Sequence, residues 1–100
     1  VTELDVDKLP RRVAHAVHAL LEASGPYAFN MGVLKPSEVM LYDAEAMSVS
    51  STGNALRRAM RYGLVDRAGY GLYFPTLLAL EHRRAFEDRY HRDTARDGDD

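Results

Sequence analysis

The stretch SSTGNALRRAMRYGLVDRAGYGLYFPT, Ser50 to Thr76, decides how the rest of the chain is read. It opens with small polar residues, carries arginines through its middle, and closes on glycine-punctuated residues of high β propensity. Ser50 or Ser51 can cap a helix here. Residues placed 100° apart then fall on two arcs. Thr52, Ala55, Leu56, Ala59, Tyr62 and Gly63 share one arc, with Met60 at its boundary. Ser50, Asn54, Arg57, Arg58 and Arg61 share the other. The first arc is small or apolar and predicts packing. The second contains no acid. A merely solvated face usually mixes signs, because opposite charges three or four residues apart each contribute a few tenths of a kcal/mol. Here Arg57–Arg61 and Arg58–Arg61 are repulsive neighbours, a small cost that phosphate contacts would offset.

Gly63 suits a left-handed residue closing that helix. LVDRA and LYFPT then read as two strands joined by Gly69-Tyr70-Gly71, a spacing that permits a tight turn. Pro75 ends the second strand, and Thr76 can cap a last helix over residues 77–90, LLALEHRRAFEDRY. Its apolar members Leu77, Leu78, Leu80, Phe86 and Tyr90 exceed what a closing helix needs. They are candidates for a homodimer contact, with packing against the first helix as the equal alternative. Residues 93–100 read as a polar, acidic, frayed tail.

Upstream, Pro10 and RRVAHAVHALLEAS, stopped by Gly25-Pro26, predict an amphipathic first helix. Val13, Ala16, Val17, Leu20 and Ser24 face the core in this reading, and Arg12, His15, Ala19 and Glu22 lie away from it. YAFNMGVL, Tyr27 to Leu34, reads as a short extended segment. KPSEVMLYDA reads as a short second helix, with Pro36 and Ser37 near its start and Val39, Met40 and Leu41 supplying apolar surface.

At 100 residues, 46% hydrophobic and 28% charged, the chain suits one domain, residues 1–92 with its core at 10–76. It has no cysteine, which excludes disulfides and thiolate metal sites and fits a reducing cytoplasm. No apolar run has membrane-spanning length, and Val1–Arg12 lacks the order of a signal peptide. The expectation is a soluble cytoplasmic protein. The net charge of −2 argues against indiscriminate polyanion binding. Its distribution is uneven. Glu3, Asp5 and Asp7 open the chain, Glu38, Asp43 and Glu45 stand in its middle, and Asp97, Asp99 and Asp100 close it. Between Ser48 and Thr76, Arg57, Arg58, Arg61 and Arg67 face only Asp66. A local basic patch on a mildly acidic chain is compatible with duplex binding.

The order helix, extended segment, helix, turn, helix and hairpin resembles a winged helix-turn-helix domain. ALRRAMRYGLVDRAGYGLYFPT carries that resemblance, with Leu56, Ala59, Gly63, Leu64 and Val65 at the end of the recognition helix and the start of the wing. It covers Arg11 to about Thr76 and identifies no subfamily. The implied fold is mostly helical α+β, with three core helices, a two-stranded or three-stranded wing sheet and a C-terminal helix. The implied function is a sequence-specific, double-stranded DNA-binding transcription regulator. The third helix would enter the major groove, and the wing would reach adjacent backbone or minor groove. The resemblance puts Ser50, Ser51, Gly53, Asn54 and Arg57 nearest the bases and Arg58 and Arg61 on phosphates. Arg67 and Tyr70 are wing contacts, and Arg11 and Arg12 further backbone contacts. Asn can read adenine and Arg guanine. A compact homodimeric regulator of this kind suits a phage or plasmid.

Little else in the chain carries chemistry. His15 and His18 lie three apart, but a metal site would also need His82 or His91, so surface histidines are the better reading. No phosphate loop, serine elbow or carboxylate pair stands in recognisable context, and no cofactor or enzymatic activity is expected. Two alternatives remain. One is a winged-helix protein-interaction module, favoured by the acidic termini. The other is a DNA-binding part of a replication or recombination assembly.

Overall fold

A computed structural model describes residues 4–25, 34–46 and 48–95. Among them are five α-helices, two short 3₁₀ turns and one two-stranded antiparallel sheet, a mostly helical α+β arrangement. No described helix is long and apolar enough to cross a membrane.

Helix α1, Arg11–Ser24, is preceded by a 3₁₀ turn at Val6–Lys8. Val13, Ala16, Val17, Leu20 and Ser24 are buried as their spacing predicts. Of the opposite side, Arg12 and Glu22 are exposed as expected, but its middle is not solvated. His15, His18 and Ala19 are buried too, because the C-terminal helix covers the back of α1. The expected surface histidines are therefore interior residues. Alanines at positions 14, 16 and 19 leave room for neighbours on several sides. At Gly25, with φ of +78°, the backbone turns out of the helix while its N–H still reaches the Leu21 and Glu22 carbonyls.

Leu34 joins the sheet through one antiparallel bridge to Tyr73, with N–H to O distances of 2.9 and 2.8 Å. The rest of the expected Tyr27–Leu34 segment lies outside the described residues. Helix α2, Pro36–Val39, runs into a 3₁₀ turn at Met40–Tyr42. Glu38 reaches back to the Lys35 N–H, and Val39 is fully buried.

Helix α3 spans Val49–Arg61. It starts earlier than Ser50 or Ser51 would give, because Ser48 holds the extended backbone of a cap and accepts from the Ser51 N–H at 3.0 Å. At its other end Gly63, at φ +75°, donates to Met60 O and Leu64 to Ala59 O. This six-to-one and five-to-two pairing satisfies carbonyls that a helix end otherwise leaves open. Leu64 then drops into the core with no exposed surface.

Strands β1, Val65–Gly69, and β2, Leu72–Pro75, pair Val65 with Pro75 and Gly69 with Leu72. Tyr70 and Gly71 form the turn, and the register slips between Arg67 and Gly69. Tyr73 is buried and pairs with Arg67 on one side and Leu34 on the other. Thr76 fastens the hairpin to the next helix. Its hydroxyl donates to Gly63 O at 2.6 Å and caps α4, Leu77–Glu81. The single helix expected over 77–90 is in fact two. It breaks at His82, whose ring sits 2.9 Å from Leu78 O, and resumes as α5, Arg83–Ala95. Asp93 is thus helical rather than part of a tail.

Candidate nucleic-acid interface

Helix α3 buries Thr52, Gly53, Ala55, Leu56 and Ala59 against α1 and α2. That packing turns Ser50, Asn54, Arg57, Arg58 and Arg61 to solvent, as the two arcs predict. Arg57 donates to Asn54 Oδ1. Among the described residues, Arg58 and Arg61 have neither hydrogen bond nor ion pair from their side chains. Two of the three arginines on this exposed face thus have no partner among the described residues. Strand β1 packs beside α3 and carries Arg67, exposed, with its backbone N–H bound to Asp66 Oδ1 at 2.8 Å. Tyr70, at the hairpin tip, is 99% exposed.

Two residues expected nearest a ligand belong elsewhere. Gly53 is buried, and a Cβ there would lie 3.6 Å from Pro36 Cγ, so this glycine seats α3 on α2. The resemblance places it at the bases, and local spacing cannot correct that, because Pro36 lies on a neighbouring element. Ser51 is half-buried, and its hydroxyl accepts from Arg12 Nη1 at 3.1 Å. Tyr62 and Gly63 depart the other way. Spacing puts both on the packed arc, yet both are exposed where the chain leaves the helix.

The remaining charges are organised differently. Arg11, expected to reach nucleic-acid backbone, instead grips Glu45 with Nε and Nη2 at 3.0 and 2.5 Å and donates to Asp93 O. The buried ring of His15 lies between two carboxylates, with Nδ1 3.1 Å from Glu45 and Nε2 2.8 Å from Asp93. Arg89 donates to Asp93 at 3.0 Å and to the Val6 and Leu9 carbonyls at 2.8 and 2.7 Å. Burial works against charge on Asp93, but the hydrogen bonds from His15 and Arg89 outweigh it and hold the carboxyl below its ordinary range. The hydrogen bonds from Arg11 do the same for Glu45. Burial pushes His18 down, toward the neutral ring, against the opposing pull of Glu22.

This cluster ties the connection before α3 to α1 and α5. Tyr90 adds a second tie, its hydroxyl accepting from the Ala44 N–H at 2.8 Å and its ring stacking on His18 at 4.3 Å. Phe86 is fully buried. Phe86, expected at a dimer contact, is therefore committed to the interior of its own chain, and the half-buried Tyr90 is engaged there by Ala44 and His18. Leu78 and Leu80 are half-buried against the core, while Leu77 is 70% exposed. Sequence reasoning missed the cluster, although Arg11–His15 and Arg89–Asp93 each show the spacing of four that puts partners on one helix stripe. No group of three or more potential metal ligands is placed to hold an ion among the described residues.

Comparison of the chain with family models, curated proteins and solved structures found no match.

Proposed function

We propose that this chain is a winged helix-turn-helix domain that binds double-stranded DNA as a sequence-specific regulator. In this reading α3 enters the major groove and the β1–β2 hairpin lies on adjacent backbone or minor groove. One observation carries it. The exposed side of α3 presents Arg57, Arg58 and Arg61 with no acid among its residues, while Arg11, Arg83, Arg89 and Arg92 are bound to carboxylates and carbonyls. Leaving like charges together and unpaired is unfavourable in the free protein and becomes favourable against phosphates. The element order and the bridge from Leu34 to the hairpin support the winged-helix reading. The contact set is Ser50, Asn54, Arg57, Arg58 and Arg61, with Arg67 and Tyr70 from the hairpin. Pairing of two copies would fall to Leu77 and the exposed parts of Leu78 and Leu80.

A mobility-shift titration at fixed salt tests this reading on Arg57→Ala and Arg61→Ala. Both variants should keep the wild-type unfolding midpoint and bind duplex at least about tenfold more weakly, the scale of one good base or phosphate contact. If both bind as the parent does, α3 is not the recognition element. If the parent binds no duplex at all, the basic face is better assigned to an acidic protein partner.

A further inference from the structure

Between α1, the connection that precedes α3 and α3 itself lies a partly enclosed cavity of about 110 Å³. Small side chains make the room, with Ala16 on α1, Ala46 in the connection and Ala55 on α3. Such a volume holds several waters or one molecule of about five or six non-hydrogen atoms, well below the roughly 300 Å³ at which cofactor and drug-sized sites begin. Its walls carry both signs of charge. Arg11 and Glu45 offset each other in their ion pair. Arg12 is stationed at the cavity by its bond to Ser51 Oγ. Asp43 gives one oxygen to the Glu45 N–H and has no ion pair among the described residues. Deeper in, Thr52 is 5% exposed and lines the cavity, and its hydroxyl has no hydrogen bond among the described residues. A buried hydroxyl without a partner costs stability, so one set against a polar cavity suits a group that enters from outside.

We propose that this cavity binds a small zwitterion, an α-amino acid the size of glycine or alanine, with its carboxylate on Arg12 and the Thr52 hydroxyl and its ammonium on the Asp43 carboxylate. A lone anion would sit against Asp43, and a lone ammonium against Arg12. A ligand bearing both charges is complementary to both walls. Its α-carbon faces the alanines, and the cavity volume leaves no place for a long side chain. The site does not depend on the duplex-binding reading, although a ligand there would touch α3 at Thr52.

The test is titration of the protein with glycine, L-alanine, L-leucine, acetate and ethylammonium, each at constant ionic strength, followed by melting temperature and amide chemical shifts. Glycine or alanine, at about tenfold its dissociation constant, should raise the midpoint by about 5 °C or more and shift the amides of Asp43 and Thr52. Leucine, acetate and ethylammonium should do neither. Thr52→Val removes a hydroxyl with no partner to lose, so it should melt at or above the parent midpoint and lose the response. Asp43→Asn keeps an oxygen for the Glu45 N–H and should lose the response too. A response to acetate equal to that of glycine overturns the proposal, making this a plain anion site. No response to any probe also overturns it, leaving the cavity to solvent. A glycine response that survives in both variants overturns it as well, placing the binding elsewhere.

Discussion

Arg89 on α5 and Arg58 and Arg61 on α3 are the same side chain in two settings. Arg89 is almost wholly buried and meets Val6 O, Leu9 O and Asp93 within 3.0 Å. Arg83 likewise donates to the Leu21 and Gly25 carbonyls, both at 2.7 Å, at the open end of α1. On α3 the neighbouring arginines find no such acceptors among the described residues. Where a guanidinium is used to hold the fold, the chain surrounds it with oxygens. Where it is left without them, the fold does not depend on it. The difference separates charge that builds the domain from charge available to a partner.

The sharpest way to break that comparison is Arg89→Ala. It leaves two carbonyls and a carboxylate facing an emptied site, and removing one partner of a buried pair costs about 3–5 kcal/mol. Urea unfolding at neutral pH should show a loss of that size. Arg89→Lys should recover only part of it, since an ammonium cannot reproduce the fork. A loss under about 1 kcal/mol would mean that the buried arginine is incidental to the fold.

Acid should expose the same interior in two stages. Native His18 is held toward neutrality by burial, with Glu22 on its own helix, Glu87, Tyr90 and His91 from α5 and His15 nearby. In the unfolded chain it takes up a proton from about pH 6.5 downward, so its contribution is present above that pH and is lost as pH falls. Asp93 and Glu45, both depressed when folded, contribute above about pH 4 and lose their effect below it, as they protonate in the native state. His18→Phe, which keeps a ring against Tyr90, should flatten the decline in stability that sets in below about pH 6.5 and leave the lower stage in place. A profile unchanged by the substitution would contradict the account of His18.

Much of this division was legible in the residues, and its limits have physical causes. Local rules sufficed for the α3 arcs except Tyr62 and Gly63, and for the helix end at Gly63, the Thr76 cap and a hairpin turn within Gly69-Tyr70-Gly71, because each depends on neighbours within a few positions. The interior histidines are beyond local rules. His15 and His18 look solvated on α1 alone and are buried only because α5 returns across that side, bringing Asp93 and Tyr90 from far along the chain. Gly53 misled for the same reason, since its neighbour Pro36 sits on another helix. The break at His82 also lies beyond propensity, for nothing in LLALEHRRAFEDRY marks it. On the candidate interface, spacing predicted which arginines are exposed but not that Arg57 and Asn54 bind each other.

Smaller effects sharpen the boundary between the two regions. Thr76→Ala removes both the cap of α4 and the bond to Gly63 O, and should cost about 1 kcal/mol by thermal or urea unfolding. Ser48→Ala should cost a similar amount, as α3 loses its N-terminal cap. Arg58→Ala and Arg61→Ala should move stability by no more than about 0.5 kcal/mol, because neither side chain has a partner to lose among the described residues. A larger loss in either would show that this face also supports the fold.

The most direct measurement is the salt dependence of duplex affinity for the wild type and the Arg58→Ala/Arg61→Ala double variant, monitored by fluorescence anisotropy on one labelled duplex. Each phosphate contact contributes about 0.9 to the slope of log affinity against log salt. The double variant should therefore give a slope shallower by between about 1 and 2, with its unfolding midpoint unchanged. Identical affinity and slope in the two proteins would contradict the claim that these arginines are held in reserve for nucleic acid.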